Sequence, residues 1–99
     1  MYLIAGSFIA KEESKQKLVD MARDLIPNSL EEAGCVSYNF YEDKMKPGKF
    51  LFFEEWKTRE AISEHFEKSY FKDFAERFPD MIIGDASIRI FQVSDVEHV

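Results

Sequence analysis

The sequence predicts an α+β domain, a four-stranded antiparallel sheet with every helix on one face. Three observations lead there. Four segments are rich in aromatic and β-branched residues, as strands are. Two stretches between them carry apolar residues at helical spacing. Their order is strand, helix, strand, strand, helix pair, strand, which is the split βαβ or ferredoxin-like arrangement. The 99 residues make a single domain spanning 1–99, too short to hold a separate cofactor domain.

The elements follow in order. The opening "YLIAGSFIA" is apolar on both alternating faces, as in a strand covered on both sides. In "KEESKQKLVDMARDLIPNSLEEAG", Leu18, Ala22, Leu25 and Ser29 share one helical face, with Leu30 and Ala33 beside them. Lys17, Asp20, Asp24 and Glu31 lie opposite. Pro27 removes a backbone donor and predicts a kink, and Gly34 is a natural stop. "CVSYNFYEDKM" and "KFLFFEEWK" form a hairpin around Pro47-Gly48, a turn with Pro second and Gly third. Thr58 is a good N-cap for the next helix. After Ser69, "YFKDFAERF" puts Tyr70, Phe71, Phe74, Ala75 and Phe78 on one side, with Lys72/Glu76 and Asp73/Arg77 paired at i,i+4 on the other. Pro79 ends it, "DMIIGDA" connects, and "SIRIFQV" is the last strand. Residues 93–99 read as a loose tail.

Composition narrows the function classes. The net charge is −6 and the basic residues are scattered, which argues against nucleic acid or a membrane surface as partner. No apolar run is long enough to span a bilayer, and the N-terminus lacks a signal-peptide layout. One cysteine, Cys35, excludes an internal disulfide, and the expected location is the cytoplasm. Two histidines and one cysteine show no metal-ligand spacing, and Gly48 and Gly84 belong to no phosphate-binding pattern. No cofactor or metal is expected. Cys35 reads as a packed residue, and His98 lies in the tail.

The pleat fixes which residues share a face within each strand. A two- or four-residue hairpin loop would pair Tyr41 with Glu54 and Asn39 with Trp56, grouping Ser37, Asn39, Tyr41, Phe50, Phe52, Glu54 and Trp56. A three-residue loop would shift the pairing by one. Both faces are too apolar to stay wet, so a second copy is expected to cover the face the helices leave free, giving a homodimer. In "TREAISEHF", Ala61, Ile62, His65 and Phe66 point to the sheet, while Glu60, Ser63, Glu64 and Glu67 point away. Two readings stay open for Glu54, Trp56 and His65. In one, a carboxylate, an indole and an imidazole line a small apolar pocket, with His65 moving a proton near neutral pH. In the other, His65 and Trp56 are core residues and Glu54 belongs to a solvated Glu-Glu pair at the strand end.

Four features resemble the antibiotic biosynthesis monooxygenase family of the dimeric α+β barrel superfamily. They are "LEEAGCVSYNFYED", "FFEEW", "TREAISEHF" and "SYFKDF", in that order along nearly the whole chain. The resemblance implies a pocket between sheet and helices and a dimer with sheets face to face. Some members oxygenate quinol-type aromatics with O2 as co-substrate and no metal or flavin, the substrate anion supplying the electrons. Carried over, it implies His65 as catalytic proton acceptor, Trp56 as pocket wall, and Glu54, Asn39 and Tyr41 as groups that bind or orient substrate. Two family patterns do not carry over. The Asn, Trp, Tyr and Arg positions of polyketide-quinol oxygenases hold Phe52, Trp56, Ile62 and Glu76, so only the tryptophan matches. The Asn, Trp and His of haem-degrading relatives fall at Ser7, His65 and Ala75. Small quinol monooxygenases and autoinducer-processing proteins are nearer in pattern. The expectation is a monooxygenase acting on a small aromatic or quinol-like molecule. Two alternatives are an isomerase or lyase on a small carbonyl compound, and a non-catalytic ligand-binding or stress-associated dimer.

Overall fold

The computed structural model describes all 99 residues. Strand β1 (Tyr2–Ala10) leads through a 3-10 turn (Glu12–Ser14) into α1 (Lys15–Leu30). Then follow β2 (Cys35–Glu42), β3 (Lys49–Trp56), α2 (Arg59–Phe66), α3 (Ser69–Arg77), a second 3-10 turn (Phe78–Met81) and β4 (Ile82–Gln92). The sheet order is β2-β3-β1-β4, with each neighbouring pair antiparallel. This is the expected α+β, ferredoxin-like fold. Residues 93–99 form no regular element, although the Val93 N–H donates to the Met1 carbonyl at 2.9 Å.

The helix faces lie as the spacing predicts. Leu18, Ala22, Leu25 and Ser29 are the buried residues of α1; Ala61, Ile62 and His65 are those of α2. Leu30, expected beside the α1 stripe, is exposed. Pro27 sits inside α1, which continues past it to Leu30. Two side chains serve the carbonyls around it: Asn28 donates to Asp24 at 2.9 Å and Ser29 to Leu25 at 2.7 Å. Thr58 caps α2, its Oγ1 accepting the Ala61 N–H at 3.0 Å. In α3, Arg77 reaches Asp73, whereas Lys72 pairs with Glu67 at 2.8 Å rather than with Glu76.

β3 alternates strictly, burying Phe50, Phe52, Glu54 and Trp56 toward the helices. Its register with β2 differs from the expected one. Tyr38 stands opposite Glu54, Phe40 opposite Phe52, Asn39 opposite Phe53 and Tyr41 opposite Leu51. The Pro47-Gly48 turn forms as predicted: the Lys49 N–H bonds the Lys46 carbonyl at 3.0 Å, and Gly48 takes φ 90. It is only the end of a longer loop. Asp43 accepts the Met45 N–H and Glu42 accepts the Gly48 N–H, both at 2.8 Å. That leaves an odd number of residues between the paired Glu42 and Phe50. Odd parity sends the β2 side chains from Ser37 to Glu42 to the face opposite the expected one; a register shift between Cys35 and Ser37 exempts Cys35.

β4 begins earlier than predicted. Ile82 and Ile83 already pair with Ala10 and Ile9, across an irregularity near Ser7. On the helix side of the sheet Phe8, Phe40, Phe50 and Phe52 stack together, with Phe40 4.6 Å from Phe52 and 5.0 Å from Phe50 between ring centroids. Phe78 meets Phe8 edge-on at 4.8 Å. Such pairs each add roughly 0.5–1.5 kcal/mol to the burial of the rings.

Candidate functional site

The site begins at a close approach. A Cβ placed on Gly34 would lie 2.3 Å from the Ala61 Cβ, so only glycine lets the start of α2 pack against the turn between α1 and β2. The Lys57 N–H bonds the Gly34 carbonyl at 2.9 Å and fixes that contact. Ala61 precedes His65 by one helical turn, and Glu32 precedes Gly34 by two residues. The approach therefore brings Glu32 to His65, whose Nδ1 is 2.6 Å from Glu32 Oε2.

His65 has no solvent exposure. Its ring lies 4.7 Å from Trp56 and 4.8 Å from Phe71. Burial lowers its pKa below the usual histidine value, against the pull of the Glu32 carboxylate. Burial dominates, so the contact is a hydrogen bond from a neutral imidazole rather than an ion pair. Its other nitrogen, Nε2, is 3.5 Å from the Tyr38 hydroxyl. Glu32 also accepts from the Tyr70 hydroxyl, which lies 3.2 Å from the Asn28 carbonyl.

Glu54 is 5% exposed. Its Oε1 accepts the Trp56 Nε1–H at 3.0 Å. Burial pushes its carboxyl up to about 7; hydrogen bonding from Trp56 and Tyr38 offsets part of that rise, and the nearby Glu32 charge adds to it. The same burial and the Glu54 charge raise the Tyr38 phenol well above its ordinary value. Cys35 is pushed up to about 11, chiefly by burial, so at neutral pH it is a thiol without nucleophilic character.

A cavity of about 230 Å³ lies between sheet and helices. Gly6, Ala86 and Ile88 form the wall on β1 and β4. Phe66, Phe71, Phe74 and Phe78 form the helical wall. Tyr38 and Glu54 are its only polar lining residues. Ile88 is 62% exposed, so the cavity opens beside β4.

Of the residues singled out from sequence, the fold brings Glu54, Trp56 and His65 together, but only Glu54 borders the cavity. Trp56, fully buried, holds Glu54 from behind; His65 sits behind Tyr38 and Phe71. Asn39 and Tyr41 are corrected: the hairpin parity puts them on the opposite sheet face, away from Glu54. Tyr38 and Glu32 take their places. Tyr38 would have been found with the right loop parity. Glu32 carries no local signal, since its contact with His65 spans 33 residues and depends on Gly34.

The fold and this apolar, single-carboxylate cavity define a class of small α+β proteins with a ligand-sized space between sheet and helices. Residues 1–77 match the antibiotic biosynthesis monooxygenase family, and the chain belongs to it. The Synechocystis protein sll1783 is 36% identical over 95 residues, 96% of this chain; the chain spans 65% of that protein's length. Rv0793 of Mycobacterium tuberculosis has the same fold, with TM-score 0.91, 18% identity and 98% of both chains covered. A solved antibiotic biosynthesis monooxygenase aligns with TM-score 0.87 and 22% identity over 96% of this chain and all of its own. A conserved protein of Methanosarcina mazei gives 0.88 and 23%, covering 92% of this chain and 90% of its own. At these identities the solved structures speak to the fold alone. No helix is long and apolar enough to cross a membrane.

Proposed function

We propose that the chain is a monooxygenase-like oxidoreductase that oxygenates a small planar phenol or quinol with O2, without a bound cofactor. Glu54 accepts the substrate proton. One observation carries this reading: a lone carboxyl, 5% exposed and held at about 7, faces a cavity whose only other polar lining residue is Tyr38. A carboxylate at 4.5 is a poor base for a phenol near 10; one at about 7 is nearer by about 3 kcal/mol. At about 230 Å³ the cavity lies below the roughly 300–1,000 Å³ of drug-sized sites, which suits one or two fused rings.

The chemistry balances without a further reductant. A phenol and O2 give a quinone and water. One oxygen atom becomes the new ring carbonyl. The other leaves as water with the ring hydrogen and the phenolic proton that Glu54 held. Glu54 ends ionised, ready for the next substrate. Trp56 orients the carboxylate and His65 acts through Tyr38. The face away from the helices carries Leu3, Ala5, Leu51 and Phe53 beside exposed Tyr41 and Phe91; a second copy of the chain covers it in this reading. Light scattering after size exclusion should return twice the 11.6 kDa of one chain at micromolar concentration, and a stable monomer refutes that.

Oxygen uptake with a panel of naphthols and hydroquinones tests the activity. Wild type should exceed the autoxidation rate, and Glu54→Gln should lower kcat by roughly 10²–10⁴ while staying folded. Equal rates would remove Glu54 from catalysis. A second reading, an isomerase or lyase, uses the same raised carboxyl to take a proton beside a carbonyl. Turnover of such a compound without O2 would select it. Binding without any product would select a ligand-binding dimer.

A further inference from the structure

Glu54 is a buried carboxyl that no positive charge meets. Its partners, the Trp56 indole and the Tyr38 hydroxyl, are neutral donors. No lysine, arginine or histidine lines the cavity. Glu54 takes part in none of the chain's ion pairs. The charge that acts on it is that of a second carboxylate, Glu32, which opposes its ionisation. A carboxylate buried in this way is costly until a counter-charge arrives. The walls suit one. Six phenylalanines and Tyr38 line the space, and aromatic faces are negative. They attract a cation, the more so where water is excluded. The chain carries net charge −6, so its field favours cations over anions. A ligand carboxylate or phosphate would meet Glu54 and no cation.

We propose that the cavity binds a small organic ammonium ion, with Glu54 as its counter-charge and the aromatic lining around its apolar body. The nitrogen sits at the Tyr38–Glu54 end. On β1, Ile4 pairs with Glu54, Gly6 with Phe52 and Phe8 with Phe50, so the body runs from Glu54 over Gly6 toward Phe8. The inference rests on the cavity being the ligand site, as in the proposed function, and does not depend on oxygen chemistry. A bound ammonium ion keeps Glu54 ionised and fills the place of a phenol, so it competes with that substrate. The titratable groups around Glu54 are Tyr38 and Cys35 of β2, Glu32 just after α1, His65 of α2 behind Tyr38 and, through Glu32, Tyr70 of α3. Tyr38, Cys35 and Tyr70 are held well above neutrality and His65 below its ordinary value, whereas Glu54 is held at about 7.

The test is calorimetry of the full chain with three probes that share one apolar body: 2-phenylethylammonium, 2-phenylethanol and phenylacetate. At pH 8 the ammonium ion should bind roughly tenfold more tightly than the alcohol, or better, and phenylacetate should not bind. Near pH 7 Glu54 is half protonated, and a cation beside it favours the ionised form. Ammonium binding there should release about half a proton, read from the heats in two buffers of different ionisation enthalpy. The alcohol should release none. Glu54→Gln keeps an oxygen for the Trp56 N–H and loses the charge, so the ammonium ion should fall to the affinity of the alcohol and release no proton. Circular dichroism confirms that the variant is folded. Five results overturn the proposal: equal affinity for ammonium and alcohol in wild type, a preference that survives Glu54→Gln, no proton release at pH 7, phenylacetate binding as tightly as the ammonium ion, or no saturable ammonium binding. Ammonium binding with no O2 uptake from any phenol defeats the oxygenation reading alone. O2 uptake that 2-phenylethylammonium does not inhibit defeats this proposal alone.

Discussion

Replacing Glu54 by glutamine should stabilise the protein, and the gain should depend on pH. The folded state holds this carboxyl at about 7, above its ordinary 4.5. Between those values the folded state binds more protons than the unfolded state, so stability falls as pH rises through the window. At 1.36 kcal/mol per pH unit, the loss is about 3 kcal/mol once pH exceeds 7. Glutamine keeps an oxygen for the Trp56 N–H and carries no charge to bury. Urea unfolding of both proteins at pH 4.5 and pH 8 checks this. The midpoints should nearly coincide at pH 4.5, and the variant should lead by up to about 3 kcal/mol at pH 8. His65, with its lowered pKa, pushes the other way: it loses stability as pH falls from its unfolded value. It is present in both proteins, so it cancels in their difference. An equal difference at the two pH values would mean that burial does not raise Glu54, and the argument for it as a base would fail.

Three further outcomes follow from named contacts. Trp56→Phe removes the donor that favours the Glu54 carboxylate, so the acidic limb of the pH–rate profile should move to higher pH, with a core loss of roughly 1–3 kcal/mol seen by thermal melting. Gly34→Ala drives a methyl into Ala61 and should cost roughly 1–3 kcal/mol; adding Ala61→Gly should recover part of it, which a double-mutant cycle in urea measures. Gly6→Ala places a methyl 3.8 Å from Ile88, an ordinary contact, so the fold should keep its melting point while the smaller cavity binds 2-naphthol more weakly than phenol, read by calorimetry.

Periodicity alone gave the helix faces, because each is decided within a few residues. Leu18, Ala22, Leu25 and Ser29 needed only the 3.6 repeat, and so did Ala61, Ile62 and His65. The alternation of β3 was equally legible. The pairing of β2 with β3 was not, because it turns on whether the loop is odd or even, and Asp43, Glu42 and Lys46 set that through bonds their neighbours' spacing does not reveal. Asn39 and Tyr41 were lost to the site, and Tyr38 gained, by that one parity. Gly84, with φ 67, looked like part of a connector and instead lies within a long β4. His65 read as inward-facing, which it is, but inward divides into two places: against the cavity, or behind the residue that borders it.

Tyr38 and Glu54 face each other across one antiparallel ladder. Their spacing is therefore held by backbone bonds of the sheet and not by a loop or lid. On heating, the pair parts only when β2, an edge strand, leaves β3. Thermal inactivation of this site should track loss of sheet signal in circular dichroism degree for degree, with no range in which the protein is folded yet inert.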